Sequence, residues 1–116
     1  MHKIGEPACL VTVSTSPNKW STGFDIPSWV DEGPGYVIES FCHLSMLMAR
    51  MITFPMPTMA LISGHAYAGG VFLALCHDFR AMSNANNRFK ICVSEINLGM
   101  TIPPACVAVC KATLTP

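Results

Sequence analysis

Three stretches of this sequence carry residue types that could do chemistry. Gly64-His65-Ala66-Tyr67-Ala68-Gly69-Gly70 stands between two apolar runs, 58–62 and 71–76. Small residues let a ligand approach the backbone, and free N–H groups at a helix start favour negative charge. The same composition serves equally for a tight turn with close strand–helix packing. It lacks the Gly-Lys-Ser/Thr of a phosphate loop and the spacing of a dinucleotide fingerprint. Glu95 is the one charged residue between Ile91 and Gly99, with Val93 and Ile96 as apolar neighbours. Such a carboxyl can move protons, or it can simply support a helix start beside Ser94. Cys76-His77-Asp78 contains three ligating types, but adjacent side chains rarely face one ion, so no metal site is expected.

These groups need elements to hold them. Ala8 to Val13 is apolar and β-branched and reads as a strand, whereas 14–21 has loop chemistry. The region 27–35 contains prolines and glycines and reads as irregular. From Tyr36 to Phe54 the period is helical. Val37, Phe41, Leu44, Met48, Met51 and Ile52 fall on one side, and Glu39, His43, Arg50 and Thr53 fall opposite. Pro55 ends the helix. Thr58–Ile62 reads as a strand covered on both faces, and Val71–Cys76 as a buried helix. Phe79–Ser83 and Phe89–Cys92 read as strands around an Asn84–Asn87 turn. Ser94 is placed to cap the turn that carries Glu95. Pro103 and Pro104 open a last helix, Ala105–Ala112. Alternating strands and helices predict an α/β fold without internal repeats.

At 116 residues one domain is expected. Hydrophobic residues make up 51% and charged residues 12% of the chain, against about 25% charged in ordinary soluble domains. Either membrane insertion or coverage by further chain or subunits would account for this. Met51 to Cys76 is free of charge, but Pro55, Pro57, His65 and Gly69-Gly70 divide it. A buried strand followed by a buried helix is expected there, not a membrane span. The net charge is zero and no basic run exists, which argues against nucleic acid or an anionic membrane as partner. The six cysteines show no C-x-x-C spacing and most lie in apolar runs, so they read as reduced, buried thiols. Residues 1–7 have neither a signal-peptide core nor transit-peptide bias, and the last three residues are no peroxisomal address.

Taken together, three segments resemble the crotonase (enoyl-CoA hydratase/isomerase) superfamily. They are Pro57 to Asp78 with its glycine stretch, Ser94-Glu-Ile-Asn-Leu-Gly99, and Ile102-Pro-Pro104. Ser21-Thr-Gly-Phe-Asp25 resembles that family's first oxyanion loop. The resemblance implies a partial crotonase-like ββα spiral core, with 1–116 as one incomplete domain and 8–104 matching the family core. It implies backbone N–H donors at Phe24 and Gly69, and substrate contacts at Gly23, Asp25, Ala68, Gly70 and Phe72.

In the family's hydratases two glutamates act. Phe72 stands at the first position and Glu95 at the second, so the closest likeness is to the Δ3,Δ2-enoyl-CoA isomerases, with Glu95 as acid/base. Asp25 and Asp78 read as structural carboxylates. Lys19, Arg88 and Lys90 are candidate phosphate partners. The implied substrate is an acyl-CoA, with coenzyme A entering only as part of the thioester and no other cofactor. A homotrimer or hexamer is implied for a full-length protein; the compartment is left open, peroxisome and mitochondrial matrix both being compatible with the resemblance. The alternatives are another family member such as a hydratase, or an inactive relative that binds acyl-CoA or partner subunits.

Overall fold

Small and β-branched residues set up short strands whose pairing partners come from distant parts of the chain. The structure, a computed structural model, describes residues 6–83 and 88–114. In chain order the elements are β1 (Leu10–Thr12), β2 (Lys19–Ser21), α1 (Ile26–Glu32), α2 (Pro34–Ile52), β3 (Thr58–Ile62) and β4 (His65–Tyr67). Then follow α3 (Gly69–Leu75), β5 (Phe79–Met82), β6 (Ile91–Cys92), a 3-10 turn Glu95–Leu98, and α4 (Pro104–Leu114). The odd-numbered strands form one sheet in the order β1-β3-β5, and the even-numbered strands form another, β2-β4-β6. All pairs are parallel, with Val11 opposite Met59, Ala60 opposite Arg80 and Tyr67 opposite Cys92. The chain therefore winds as a coil, and each coil adds one strand to each sheet.

Helix α3 is the hub. Val71, Ala74 and Leu75 join Trp20, Ala60, Ile62 and Ala66 in one buried cluster. Phe72 and Cys76 face a second cluster with Met48 and Met51 of α2 and Cys106 of α4. Gly70 permits this closeness: a Cβ there would lie 2.6 Å from the Ser21 carbonyl oxygen. Beyond α3, Thr58 and Asp78 clasp β3 to the start of β5. The Thr58 N–H and hydroxyl donate to Asp78 Oδ2 at 2.8 and 2.9 Å, and the Asp78 N–H returns to Thr58 Oγ1 at 2.9 Å. Nearby, His77 is buried, with Nδ1–H donating to the Leu73 carbonyl at 2.9 Å and Nε2 paired with Thr12 Oγ1 at 2.8 Å.

Several expectations are corrected. The region read as irregular contains α1, because Pro27 suits a first helical turn and Gly33, with φ +83°, closes it through an N–H to Trp29 carbonyl bond of 3.1 Å. Gly33 also precedes α2, which starts at Pro34. Both β2 and β4 lie in segments read as loop. Each is three residues long and is a strand because a parallel neighbour pairs with it. β3 is covered on one face, with Leu61 42% exposed on the other. On α2, Ile52 is solvent-facing, as are Ile38 and Met46. Cys9 and Cys42 are exposed thiols, and Cys76 and Cys106 are the fully buried ones. The Asn84–Asn87 turn lies outside the described residues. Among the described residues no helix is long and apolar enough to cross a membrane.

Candidate active site

The even-numbered sheet brings the expected chemistry together. Its parallel strands end side by side, and β2 is followed by Gly23-Phe24, β4 by Ala68-Gly69, and β6 by Glu95. Carboxyl ends of parallel strands are where open α/β sheets place ligands. Phe24, Ala68, Gly69, Phe72 and Glu95 all line one cavity of about 80 Å³.

The two loops that carry Phe24 and Gly69 touch through backbone. Gly23 has φ +87°, and a Cβ on it would lie 2.9 Å from the Gly69 nitrogen and 3.1 Å from Ala68 Cβ. Only glycine satisfies both the angle and the approach. Ala68 has φ 49° and ψ −126°, a sparsely populated conformation for a residue with a side chain. Strain of this kind costs about 1–3 kcal/mol and persists where neighbours enforce it. Here the Ala68 N–H donates to the Cys92 carbonyl at 3.0 Å, while the Ala68 carbonyl accepts from Val71 N–H at 2.9 Å. Neither the Phe24 N–H nor the Gly69 N–H donates to a described residue.

Glu95 is 8% exposed, and its Oε2 has no hydrogen-bond partner among the described residues. Buried side-chain oxygens are nearly always paired, so an unpaired one on a residue that lines a cavity is a candidate to meet a ligand. The turn that carries Glu95 closes on Gly99 in the left-handed region, with Met100 N–H donating to the Glu95 carbonyl at 3.1 Å. Ser94 holds the cap position without a side-chain cap bond and lines the cavity instead. The apolar surroundings differ from those expected. Ile96 is 80% exposed, and Phe72, Leu98 and Cys106 line the same cavity as Glu95. Burial pushes the Cys106 thiol up to about 11, with the Glu95 carboxylate adding to the effect.

Two of the expected substrate contacts, Asp25 and Gly70, are not among the residues that line this cavity. The Asp25 carboxylate accepts from Ser28 Oγ at 2.7 Å ahead of α1, and Gly70 is packed beneath Ser21. Gly23 lines an adjoining hollow with Gly69 and Leu73. Lys19 and Lys90 sit at or before the opposite, amino ends of β2 and β6, with Arg88 over the Phe89 ring. Among the described residues no cluster of ligating side chains could hold a metal. Sequence reasoning missed Trp29, which lines the cavity from α1, because that helix lay in a segment rich in proline and glycine.

Comparison with known proteins gives this architecture its class. The profile of the enoyl-CoA hydratase/isomerase family matches residues 6–113. Among solved structures, a probable enoyl-CoA hydratase of Mycobacterium tuberculosis H37Rv superimposes with a TM-score of 0.80 at 30% identity, over 89% of this chain and 42% of the other. Parallel strands, interleaved helices and this likeness define a partial α/β crotonase-like core. The chain belongs to the enoyl-CoA hydratase/isomerase family. Its curated relatives include the peroxisomal enoyl-CoA delta isomerase 1 of Arabidopsis thaliana, 31% identical over 105 residues, which are 90% of this chain and 42% of that protein. The mitochondrial enoyl-CoA delta isomerase 1 of Mus musculus is 31% identical over 94 residues, covering 81% of this chain and 32% of that protein. The chain thus spans less than half the length of the relatives it matches.

Proposed function

We propose that this chain carries the proton-transfer centre of a Δ3,Δ2-enoyl-CoA isomerase acting in fatty-acid β-oxidation. The observation that carries the reading is Glu95: a buried carboxyl with an unpaired oxygen, on a residue that lines the same cavity as Phe24, Gly69 and Phe72. The thioester oxygen of the substrate accepts from the Phe24 and Gly69 amides. Glu95 removes a proton from the carbon between the thioester and the 3,4 double bond. Negative charge spreads over the dienolate and is stabilised at oxygen by the two amides. Losing one such donor typically costs about 3–4 kcal/mol of barrier. Glu95 then returns the proton to the far carbon, which leaves the double bond conjugated with the thioester. One carboxyl suffices because no water is added. Phe72 provides no second carboxylate to act as a base toward water, which disfavours hydration. The chemistry requires no cofactor beyond the coenzyme A of the substrate, and a trimer or hexamer is the assembly proposed for the whole protein.

The test is conversion of a 3-enoyl-CoA to the 2-enoyl isomer, followed by the absorbance of the conjugated thioester. Glu95→Gln should lower kcat by about 10²–10⁴, as loss of a general base does. Undiminished turnover in that variant removes Glu95 from the mechanism. Hydration at a rate comparable to isomerisation would instead make the protein a hydratase.

A further inference from the structure

Trp29 and Phe41 have no part in moving the proton, yet both line the cavity, from α1 and α2. With Phe24 they form a closed set of ring contacts. The centroid separations are 4.9 Å for Phe24–Trp29, 5.1 Å for Phe24–Phe41 and 5.4 Å for Trp29–Phe41. The indole N–H is the one polar atom among these rings, and it donates to Ser40 Oγ at 3.2 Å. The Ser40 hydroxyl in turn donates to the Tyr36 carbonyl at 2.7 Å, which fixes the acceptor within α2. The rings therefore offer a ligand hydrocarbon contact alone. Such a wall suits an acyl chain, whereas a pantetheine arm would leave its amides unpaired against it.

The cavity that these rings share with Gly69, Phe72 and Glu95 is small. At about 80 Å³, it is roughly half the ~150 Å³ of a cavity that takes benzene. We propose that the Phe24–Trp29–Phe41 cluster is the end stop of the acyl pocket and restricts the site to short acyl thioesters. This rests on the isomerase reading only for the identity of the thioester. Trp29 is the decisive residue. It stands on a seven-residue helix that buries none of its own residues, so its indole is held by Phe24, Phe41 and Ser40.

The experiment measures kcat/KM for 3-enoyl-CoA substrates from about four to about twelve carbons, where each methylene a pocket refuses is worth about tenfold or more. Binding of the matching saturated acyl-CoA series is followed in parallel by Trp29 fluorescence in a Trp20→Phe background. Wild type should favour the short substrates by at least about tenfold, and Trp29→Ala should bring the short-to-long ratio close to one. Phe41→Leu, on the long helix α2, should shift the ratio in the same direction and guards against displacement of α1 in the first variant. Equal handling of all lengths, or an unchanged ratio in both variants, overturns the end stop while leaving the isomerase reading intact. Length-selective binding without turnover overturns the isomerase reading and leaves the end stop standing. If no acyl thioester binds, both fall.

Discussion

At the scale of single residues, the pairing of Thr58 with Asp78 shows how one buried hydroxyl ties a loop carboxylate to a strand. Three hydrogen bonds join the two residues, and Thr58 is 1% exposed. The Thr58 N–H and hydroxyl hold the Asp78 carboxyl below its ordinary value of 3.8. A depressed folded value means that the clasp contributes stability above the unfolded value and loses it as pH falls through the folded one. Asp78→Asn should therefore be less stable than wild type near neutral pH. The gap should shrink as pH drops below 3.8, where the unfolded chain's Asp78 takes up a proton, and close as pH falls through the lower folded value. Urea unfolding at neutral and acidic pH checks this. A gap that widens in acid would contradict the assignment. Glu95 presents the opposite case, a carboxyl oxygen that the fold buries without a partner.

At the scale of elements, two glycines decide whether the cavity exists. Gly23→Ala would place a methyl 2.9 Å from the Gly69 nitrogen at φ +87°, forcing apart the loops that carry both amides. The isomerisation proposed above should slow by about 10²–10³, the typical effect of losing an oxyanion donor. The melting temperature should drop as well, since a side chain at this φ is strained by about 1–3 kcal/mol. Gly70→Ala acts on packing instead. Its methyl would lie 2.6–2.8 Å from Ser21 atoms and push α3 off β2, an overpacking that costs about 1–3 kcal/mol. Thermal denaturation followed by circular dichroism, alongside turnover, separates the two: the first variant loses activity even where it stays folded, the second loses activity and stability together.

At the scale of the whole molecule, the thiols report on the core. Burial pushes Cys76 and Cys106 each up to about 11, while Cys9 and Cys42 lie open to solvent. Since the thiolate is the nucleophile, iodoacetamide near neutral pH should label Cys9 and Cys42 quickly. Cys76 and Cys106 should label only at the rate of unfolding, as peptide mapping by mass spectrometry can follow. Fast labelling of Cys106 in the folded protein would mean that the second core cluster opens readily. The outer surface matches the sparse charge. Val30 and Ile96 are each 80% exposed, Met46 is 69% and Ile38 67%, so apolar side chains occupy positions that charges hold in ordinary domains.

Much of the site was legible in the sequence, because its parts are properties of local stretches. Glu95 in an uncharged segment, glycines at 23 and 69, and the long helical period of α2 need no tertiary knowledge to be seen. The class of fold followed from the alternation of runs. Other features depended on contacts between distant residues. Strands β2 and β4 have loop-like composition and became strands through parallel neighbours, as non-local pairing outweighs local propensity in short segments. Helix α1, hidden among prolines and glycines, delivered Trp29 to the cavity. Ile96 turned outward because a 3-10 turn points successive side chains in different directions, leaving Phe72 and Cys106 to line the cavity with Glu95. Residue chemistry is written along the chain. Its convergence on one cavity was decided by the coil of parallel strands, which alone sets which ends lie side by side.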